Sequence, residues 1–522
     1  MINRAAAADQ DRLCFRAPPW DDRHPDFLAL DRQLAPDHPA RRVQQILDRL
    51  DFRPLLADFY AGRGSPSYHP RLYLAVFLLE ADRKVHSPAQ WFRDCKDLLP
   101  LRWLLRGALP SRSALYQSRD RFGPGLLERL NQQLLAQARQ LRRCGATRGS
   151  LDGTFVAAKA SRHHLLNLQR LDKRRALLDD FARAEQHGQP PPPRPRWMAR
   201  TAEGRHKQGE RFDQARRRLL AKLEAHRRRQ SSRAKKKRRP DHRVCISVSE
   251  AESAIGRDKQ KVLRPLYNVQ LLCDVASDFY LGYGVFAQPS DAGLLPAMLE
   301  RTKRQSGVLP QELLTDSTYA SVRDLKCCRE NQVVLYAPVP ADGACSPQSR
   351  RVGLPLVGEG AAGAAGAGEQ RGKGYYGKEQ FVWEEARQSY RCPAGQTLRK
   401  VSSHQASRGE QEKIAVDVYA TPACAGCGQR SACTRSKYGR KIKRMADEPL
   451  VEELRRRMSS AEGKAKYQRR KETVERAFAD GKEHRGLRQF ASFGIERAET
   501  TVGVLVLLHN GKLLLRPPKA AA

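Results

Sequence analysis

Two things are missing from this chain, and a third is scarce. No apolar run approaches the roughly 20 residues that a helix needs to span a bilayer. The opening Met1-Ile2-Asn3-Arg4-Ala5 has no apolar core of the kind that marks a signal peptide. Both absences speak against a membrane partner and lead us to expect a cytoplasmic, nucleoid-associated protein. Acids are in short supply: 57 Asp and Glu face 96 Lys and Arg, a formal net charge of +39, with a pI near 10.2. Ordinary metabolic enzymes have no use for such a field, whereas a protein that grips phosphates along a duplex does. Double-stranded DNA is therefore the expected partner. In a reducing compartment the 12 cysteines read as thiols or metal ligands rather than disulfides.

At 522 residues the chain is long enough for two or three domains with real cores. Residues 1–145 read as an all-helical domain. Val43, Ile46, Leu47 and Leu50 fall on one helix face, and Pro70 and Pro88 take first-turn positions, with Ser87 as an expected N-cap. A helix from near Ser111 to Phe122, a break at Gly123-Pro124-Gly125, and a second helix from Leu126 to Leu141 suit a helix-turn-helix reader of DNA. Residues 161–240 read as a basic insertion. In it, two helical stretches, Leu165 to Ala184 and Gly209 to Arg229, flank the polyproline spacer Gln189 to Pro195. Its runs Arg227-Arg228-Arg229 and Lys235 to Arg239 read as a solvated arm able to hold phosphates without reading sequence.

Leu266 to Val275 and Asp278 to Phe286 read as a β-hairpin, which makes Asp274 and Asp278 turn residues before ligands. Ser290 or Asp291 is expected to cap a helix that Gly307 ends. Residues 336–450 read as a second insertion, with a Gly/Ala-rich connection over 358–374 followed by Cys392, Cys424, Cys427 and Cys433. Cys-x2-Cys presents two thiolates from one tight turn, and two outlying cysteines complete a tetrahedral site, so structural Zn²⁺ is expected. No thioredoxin-like βαβ pattern surrounds the pair, which argues against redox catalysis.

Three acids stand apart from the remainder. Asp152 and Asp316 each sit at the end of an apolar run that reads as a strand, where a carboxylate is aimed at a fixed point. Glu475 lies in the stretch Tyr467 to Lys482, which reads as one helix; at about 100° per residue, Lys471, Glu475 and Lys482 then project within roughly 40° of one another. Two carboxylates from strands and one from a helix can enclose a pair of hard divalent cations, the arrangement that in-line phosphoryl displacement uses.

Leu-Asp-Gly-Thr at Asp152, Thr-Asp-Ser-Thr-Tyr at Asp316, and Tyr-x2-Arg followed by Thr-Val-Glu-Arg-Ala-Phe-x3-Lys around Glu475 resemble the acidic triad of insertion-sequence DDE transposases. The resemblance implies an α/β fold. It would be an RNase H-like mixed sheet with flanking helices over residues 146–160, 241–335 and 451–515, preceded by the helical domain and interrupted by the two insertions. It implies two Mg²⁺ (or Mn²⁺) ions on Asp152, Asp316 and Glu475, cleavage of element ends at terminal inverted repeats, and strand transfer into target DNA. A homodimer or higher oligomer on DNA is implied as well. Tyr467, Arg470 and Lys482 resemble the family's DNA-contacting Tyr, Arg and Lys. Four residues separate Arg470 from Glu475 where the related signature has three, and Lys471 satisfies the shorter spacing. Two other readings use the same residues: an RNase H-like nuclease that cuts without joining, and a non-catalytic, transposase-derived DNA-binding protein.

Overall fold

A computed structural model describes residues 15–59, 66–231, 233, 235–258, 260–339, 375–408 and 412–517; the Gly/Ala-rich connection over 358–374 lies outside the described residues. The chain divides into two compact units, one built from residues up to Leu313 together with those from Arg469, the other from Leu314 to Gln468.

The first unit opens with helices α1 (Pro25–Gln33), α2 (Pro39–Asp48), α3 (Leu56–Phe59), α4 (Pro70–Asp82), α5 (Pro88–Asp97), α6 (Leu99–Leu104) and α7 (Arg112–Gln140). Three of them start alike. His24, His38 and His69 each precede a proline, and each ring accepts a hydrogen bond from the backbone N–H two residues on. Proline presets the first helical φ and has no N–H to waste, while the imidazole satisfies the next orphan donor. Ser87 does occupy the N-cap position of α5, but its side chain makes no capping bond. Helix α4 is buried from Leu72 to Ala81 and forms the axis of this helical layer. Helix α7 is broken at Gly123 (φ 47°, ψ −174°), next to Pro124, so the expected helix, break, helix is a kink rather than a loop.

Strand β1 (Arg148–Ala157) follows, and then the basic insertion. The expected pair of helices in residues 161–240 is present, and the described residues of the runs Arg227–Arg229 and Lys235–Arg239 are largely exposed, but the helices also share a packed core. Leu165–Leu166 is a short strand, β2, rather than the start of a helix; helices α8 (Leu168–Gln186) and α9 (Ala202–Ser231) pack together, and β3 (Ile246–Ser247) pairs with β2 to close the hairpin. Leu171, Leu178, Phe181, Phe212, Leu219 and Leu223 are buried between the helices. Charge runs dominate the sequence of this segment, yet its apolar residues fall at helical spacing and suffice for a core of its own.

The sheet resumes with β4 (Ala254–Arg257), β5 (Leu263–Asp274) and β6 (Tyr280–Phe286), then α10 (Leu295–Ser306) and β7 (Glu312–Leu314). β5 pairs antiparallel with β1 on one side and with β4 and β6 on the other; β7 takes the free side of β1. The β5–β6 hairpin turns as expected, with Asp278 at φ +64° and the Asp274 carboxylate accepting from Ser277 N–H at 3.0 Å. Gly307 in the left-handed conformation ends α10. Neither Ser290 nor Asp291 caps it. The N-cap is Leu294, and Asp291 is engaged elsewhere.

The second unit holds α11 (Val322–Glu330), β8 (Val334–Tyr336) and a five-stranded antiparallel sheet of β9 (Val382–Glu384), β10 (Ser389–Arg391), β11 (Thr397–Arg408), β12 (Glu412–Ala420) and β13 (Ile442–Met445), in the order β13-β12-β11-β10-β9. The short helix α12 (Arg430–Cys433) lies between β12 and β13, and α13 (Glu448–Ser459) and α14 (Ala461–Gln468) end the unit. Aromatic rings make the core of the small sheet: Trp383, Tyr390 and Tyr419 pack edge-on or tilted at 4.9 to 5.5 Å.

The chain then returns to the first unit as α15 (Arg470–Ala479), a π-helical turn (Asp480–His484) and α16 (Ile495–Leu515). Helix α16 is apolar nearly all round and packs on α7 and β6. Its buried Asn510 satisfies three partners: it donates to Asn131 and to the Tyr280 carbonyl, and it accepts from Tyr280 N–H. The molecule is thus a mixed α/β protein with a helical layer ahead of its sheet.

Candidate active site

Strand β1 sets the geometry. Its alternation places Asp152 and Thr154 on one face and Gly153 on the other. The Asp152 side chain is about one-quarter exposed (23%), and its Oδ1 lies 3.3 Å from Arg470 Nη2. Arg470 opens α15 and is itself 85% covered, its side chain 15% exposed. Lys482 comes from the π-turn, and its ammonium donates to Thr154 Oγ1 at 2.5 Å. One acid and two cations therefore meet on one strand face.

That convergence corrects the single helix expected over 467–482. Helix α14 stops at Gln468 and α15 begins at Arg470, while the π-turn widens the last coil before Lys482. The 100° step thus fails at both ends, and the three-residue stripe of Lys471, Glu475 and Lys482 is not a regular helical face. Backbone geometry places Lys471 and Glu475 on α15, whose packing partners include β1. Their side chains lie outside the described residues. Tyr467 is a half-buried residue of α14 in the second unit. Asp316 also belongs to the second unit, directly after β7; its Oδ1 accepts from Thr318 N–H at 2.7 Å and starts a short 3₁₀ turn.

The π-turn is braced from the helical layer. Lys84 donates to the Glu483 carbonyl at 2.7 Å, and His86 Nε2 to the Arg485 carbonyl at 2.6 Å. Arg485 pairs with both Asp82 and Asp480, and Lys512 Nζ reaches Asp82 at 2.6 Å. Burial depresses the His86 pKa below the usual imidazole range, which keeps this ring a neutral structural donor. Farther on, Phe490 N–H donates to the Ala157 carbonyl at 2.9 Å, which ties the segment after the turn to the end of β1.

On the other face of β1 the structure shows a cluster that sequence reasoning missed. Asn268 and Gln270, both fully buried on β5, donate to Asp291 Oδ1 at 2.8 and 2.7 Å. They lie over Gly153, where an added Cβ would stand 2.1 Å from Gln270 Nε2 and 2.3 Å from Asp291 Oδ1. A glycine inside a strand pattern signals such a close approach. Residue 153 had to be Gly for the strand beside Asp152 to accept this cluster.

In the second unit, Cys392, Cys424, Cys427 and Cys433 line one small cavity of about 20 Å³ together with Arg440. Burial raises the Cys433 thiol pKa, Arg440 opposes that rise, and the other three sulfurs add to it. Gly439, at φ +82°, packs against this cluster; a Cβ there would come within 2.7 Å of Cys424 Cβ. The four thiols share a site, although among the described residues no three Cys, His, Asp or Glu side chains converge as a finished ligand set.

Two family models match the chain. Residues 391–515 match a transposase DDE domain, and residues 28–121 match a separate transposase domain. Both matches indicate an insertion-sequence DDE-type transposase. No curated protein matches it. The DDE match takes in β11 to β13 with the four cysteines, α15 and α16, and the N-terminal match ends two residues before the kink at Gly123. Asp152 and Asp316 lie outside both. No helix among the described residues is long and apolar enough to cross a membrane.

Proposed function

We propose that this transposase cleaves element ends at their terminal inverted repeats and joins them to target DNA, with Asp152, Asp316 and Glu475 as its acidic triad on an RNase H-like core. The observation that carries the reading is the convergence of Asp152, Arg470 and Lys482 on β1. The run of strands β6-β5-β1-β7, two antiparallel pairings followed by a strand on the far side of β1, supports the core assignment.

Asp152 suits a hard cation: it is an oxygen donor on a rigid strand, part-exposed, with an arginine 3.3 Å from its Oδ1. The acids would hold two Mg²⁺ or Mn²⁺ ions, which when bound supply charge stabilisation at the attacking and leaving oxygens. Arg470 balances the Asp152 charge. Its Nε is buried without a hydrogen-bond partner among the described atoms, so a phosphate oxygen at this face would complete it. Lys482 holds its ammonium on the same strand face, where it can meet a phosphate next to the scissile bond. The direct ion pair makes Arg470 a residue that serves this acid. Tyr467 would stack on a base displaced near the cut. The four cysteines fit Zn²⁺ by donor chemistry and would staple the small sheet. Synapsis of two ends calls for at least a dimer.

The test is cleavage of labelled DNA carrying the terminal repeats, with Mg²⁺ or with EDTA, wild type beside Asp152→Ala. Metal-dependent nicking at the repeat boundary that disappears in the variant supports the reading. Nicking that persists in Asp152→Ala removes Asp152 from the site. Nicking without joined products marks a nuclease, and binding without nicking in either protein marks a non-catalytic DNA-binding protein.

A further inference from the structure

The hairpin insertion carries a cavity that the active site does not use. The loop between the polyproline spacer and α9 borders an opening of about 630 Å³, and Arg194, Arg196, Arg200 and Arg211 stand around it. The loop is rigidly built. Gln208 clamps it twice, donating to the Trp197 carbonyl at 2.8 Å and accepting from Ala199 N–H at 3.0 Å. Arg205 donates to the Arg200 carbonyl at 2.7 Å, Arg194 to the Met198 carbonyl at 2.7 Å, and Met198 is buried in the hairpin core. Trp197 forms a wall, edge-on to Phe212 at 5.8 Å, with the Arg174 guanidinium over its ring at 5.0 Å.

The charge on this loop is not balanced from within. Nearby acids are committed to other cations: Asp213 to Arg175, Glu203 to Lys207, Glu185 to Arg205. Arg196, Arg200 and Arg211 make no ion pair among the described residues. Three exposed guanidinium groups stand around one opening, and neither the hairpin core nor the loop clamps involve their charges. Their combined positive charge suits an anion. Planar forks of donors at several points match the oxygens of successive phosphates.

We infer that this cavity docks the phosphodiester backbone of duplex DNA, an electrostatic grip that adds affinity without reading sequence. The inference rests on the reading of the chain as a DNA-processing enzyme and names where the insertion holds its substrate.

The test measures binding of the full chain to a random-sequence duplex, in EDTA, across a salt series. Each phosphate contact contributes about 0.9 to the slope of log affinity against log salt, so Arg196→Ser/Arg200→Ser/Arg211→Ser lowers the slope by about 2 to 3. The matching triple Arg→Lys variant keeps the slope, since charge is retained, and weakens binding through loss of the bidentate forks. A serine triple with the wild-type slope overturns the assignment. Failure of the wild type to bind duplex at all overturns both this inference and the transposase reading, whereas wild-type cleavage by a serine triple with unchanged slope overturns the inference alone.

Discussion

Two small modules in this chain solve the same problem in opposite ways. The hairpin of α8 and α9 carries eleven buried core residues, most of them aliphatic or phenylalanine. The cluster beside the cysteines in the sheet β9 to β13 has five, three of them aromatic, and half-buried thiols pack against them, while Ile414, Val416 and Val418 of β12 are buried outside it. Burial scales with apolar area, so the hairpin holds itself together by ordinary hydrophobic packing. A five-residue cluster is small, and small modules often recruit a staple. The difference fits the proposed staple of four cysteines sharing one cavity in the sheet, while the hairpin's surface is left to arginine.

The sharpest way to break this comparison is to remove the staple. The purified chain is expected to contain about one zinc per molecule, with apparent stabilisation on the order of 10 kcal/mol for a site of this type. Chelation, or Cys424→Ser with Cys427→Ser, should therefore unfold the sheet locally. Trp383 sits in that core, its ring 3.9 Å from the Arg444 guanidinium carbon, so its fluorescence reports the loss. A chain free of zinc with Trp383 still protected would show that the aromatic core suffices alone.

The counterpart in the hairpin is Phe212→Ala. Phe212 is 2% exposed and bridges the core to Trp197. Its truncation should cost about 3–5 kcal/mol, read as a lower denaturant midpoint by helical circular dichroism, with zinc content unchanged. An equal loss of zinc would mean that the two modules do not stand independently.

Much of this was legible from the residues. Asp152 falls on a strand because Leu151, Val156 and Ala157 make an apolar run, and the β5–β6 hairpin follows from its turn residues. The kink at Gly123 follows from Gly-Pro-Gly. Other features left no period to read. The π-turn at Asp480–His484 shifts Lys482 by part of a turn, and no helical wheel shows an i to i+5 bond. The stop at Gln468 carries neither glycine nor proline. Asp291 resembled a helix cap because its true partners, Asn268 and Gln270, lie more than twenty residues away in sequence. The hairpin core was obscured by charge, since Leu171, Leu178 and Leu219 are spaced among arginines that project outward.

The smallest expected effect concerns the joint between the hairpin and the sheet, where Glu250 is 2% exposed. Its carboxylate accepts from Tyr267 Oη at 2.8 Å and from Gly494 N–H at 3.1 Å, and so fixes the start of α16. Beside it Glu252 accepts from Ile495 N–H and from Arg218 of α9. Burial raises the Glu250 pKa above its ordinary 4.5; the nearby Glu252 charge adds to the rise, while Tyr267, Gly494 and Lys159 oppose it. With the folded pKa above the unfolded one, the folded state holds the extra proton. Stability from this group is therefore full below about pH 4.5 and declines as pH rises through the raised pKa. The slope stays under about 1.4 kcal/mol per pH unit, the limit for one proton. Glu80, Asp274 and Glu499 are raised by burial as well, so denaturation midpoints followed from pH 4 upward should show a shared decline that Glu250→Gln lessens and Phe212→Ala, which leaves the joint intact, keeps in full. A slope unchanged in Glu250→Gln would assign the pH dependence to the other buried acids and leave the joint to Glu252, which holds Arg218 and Ile495.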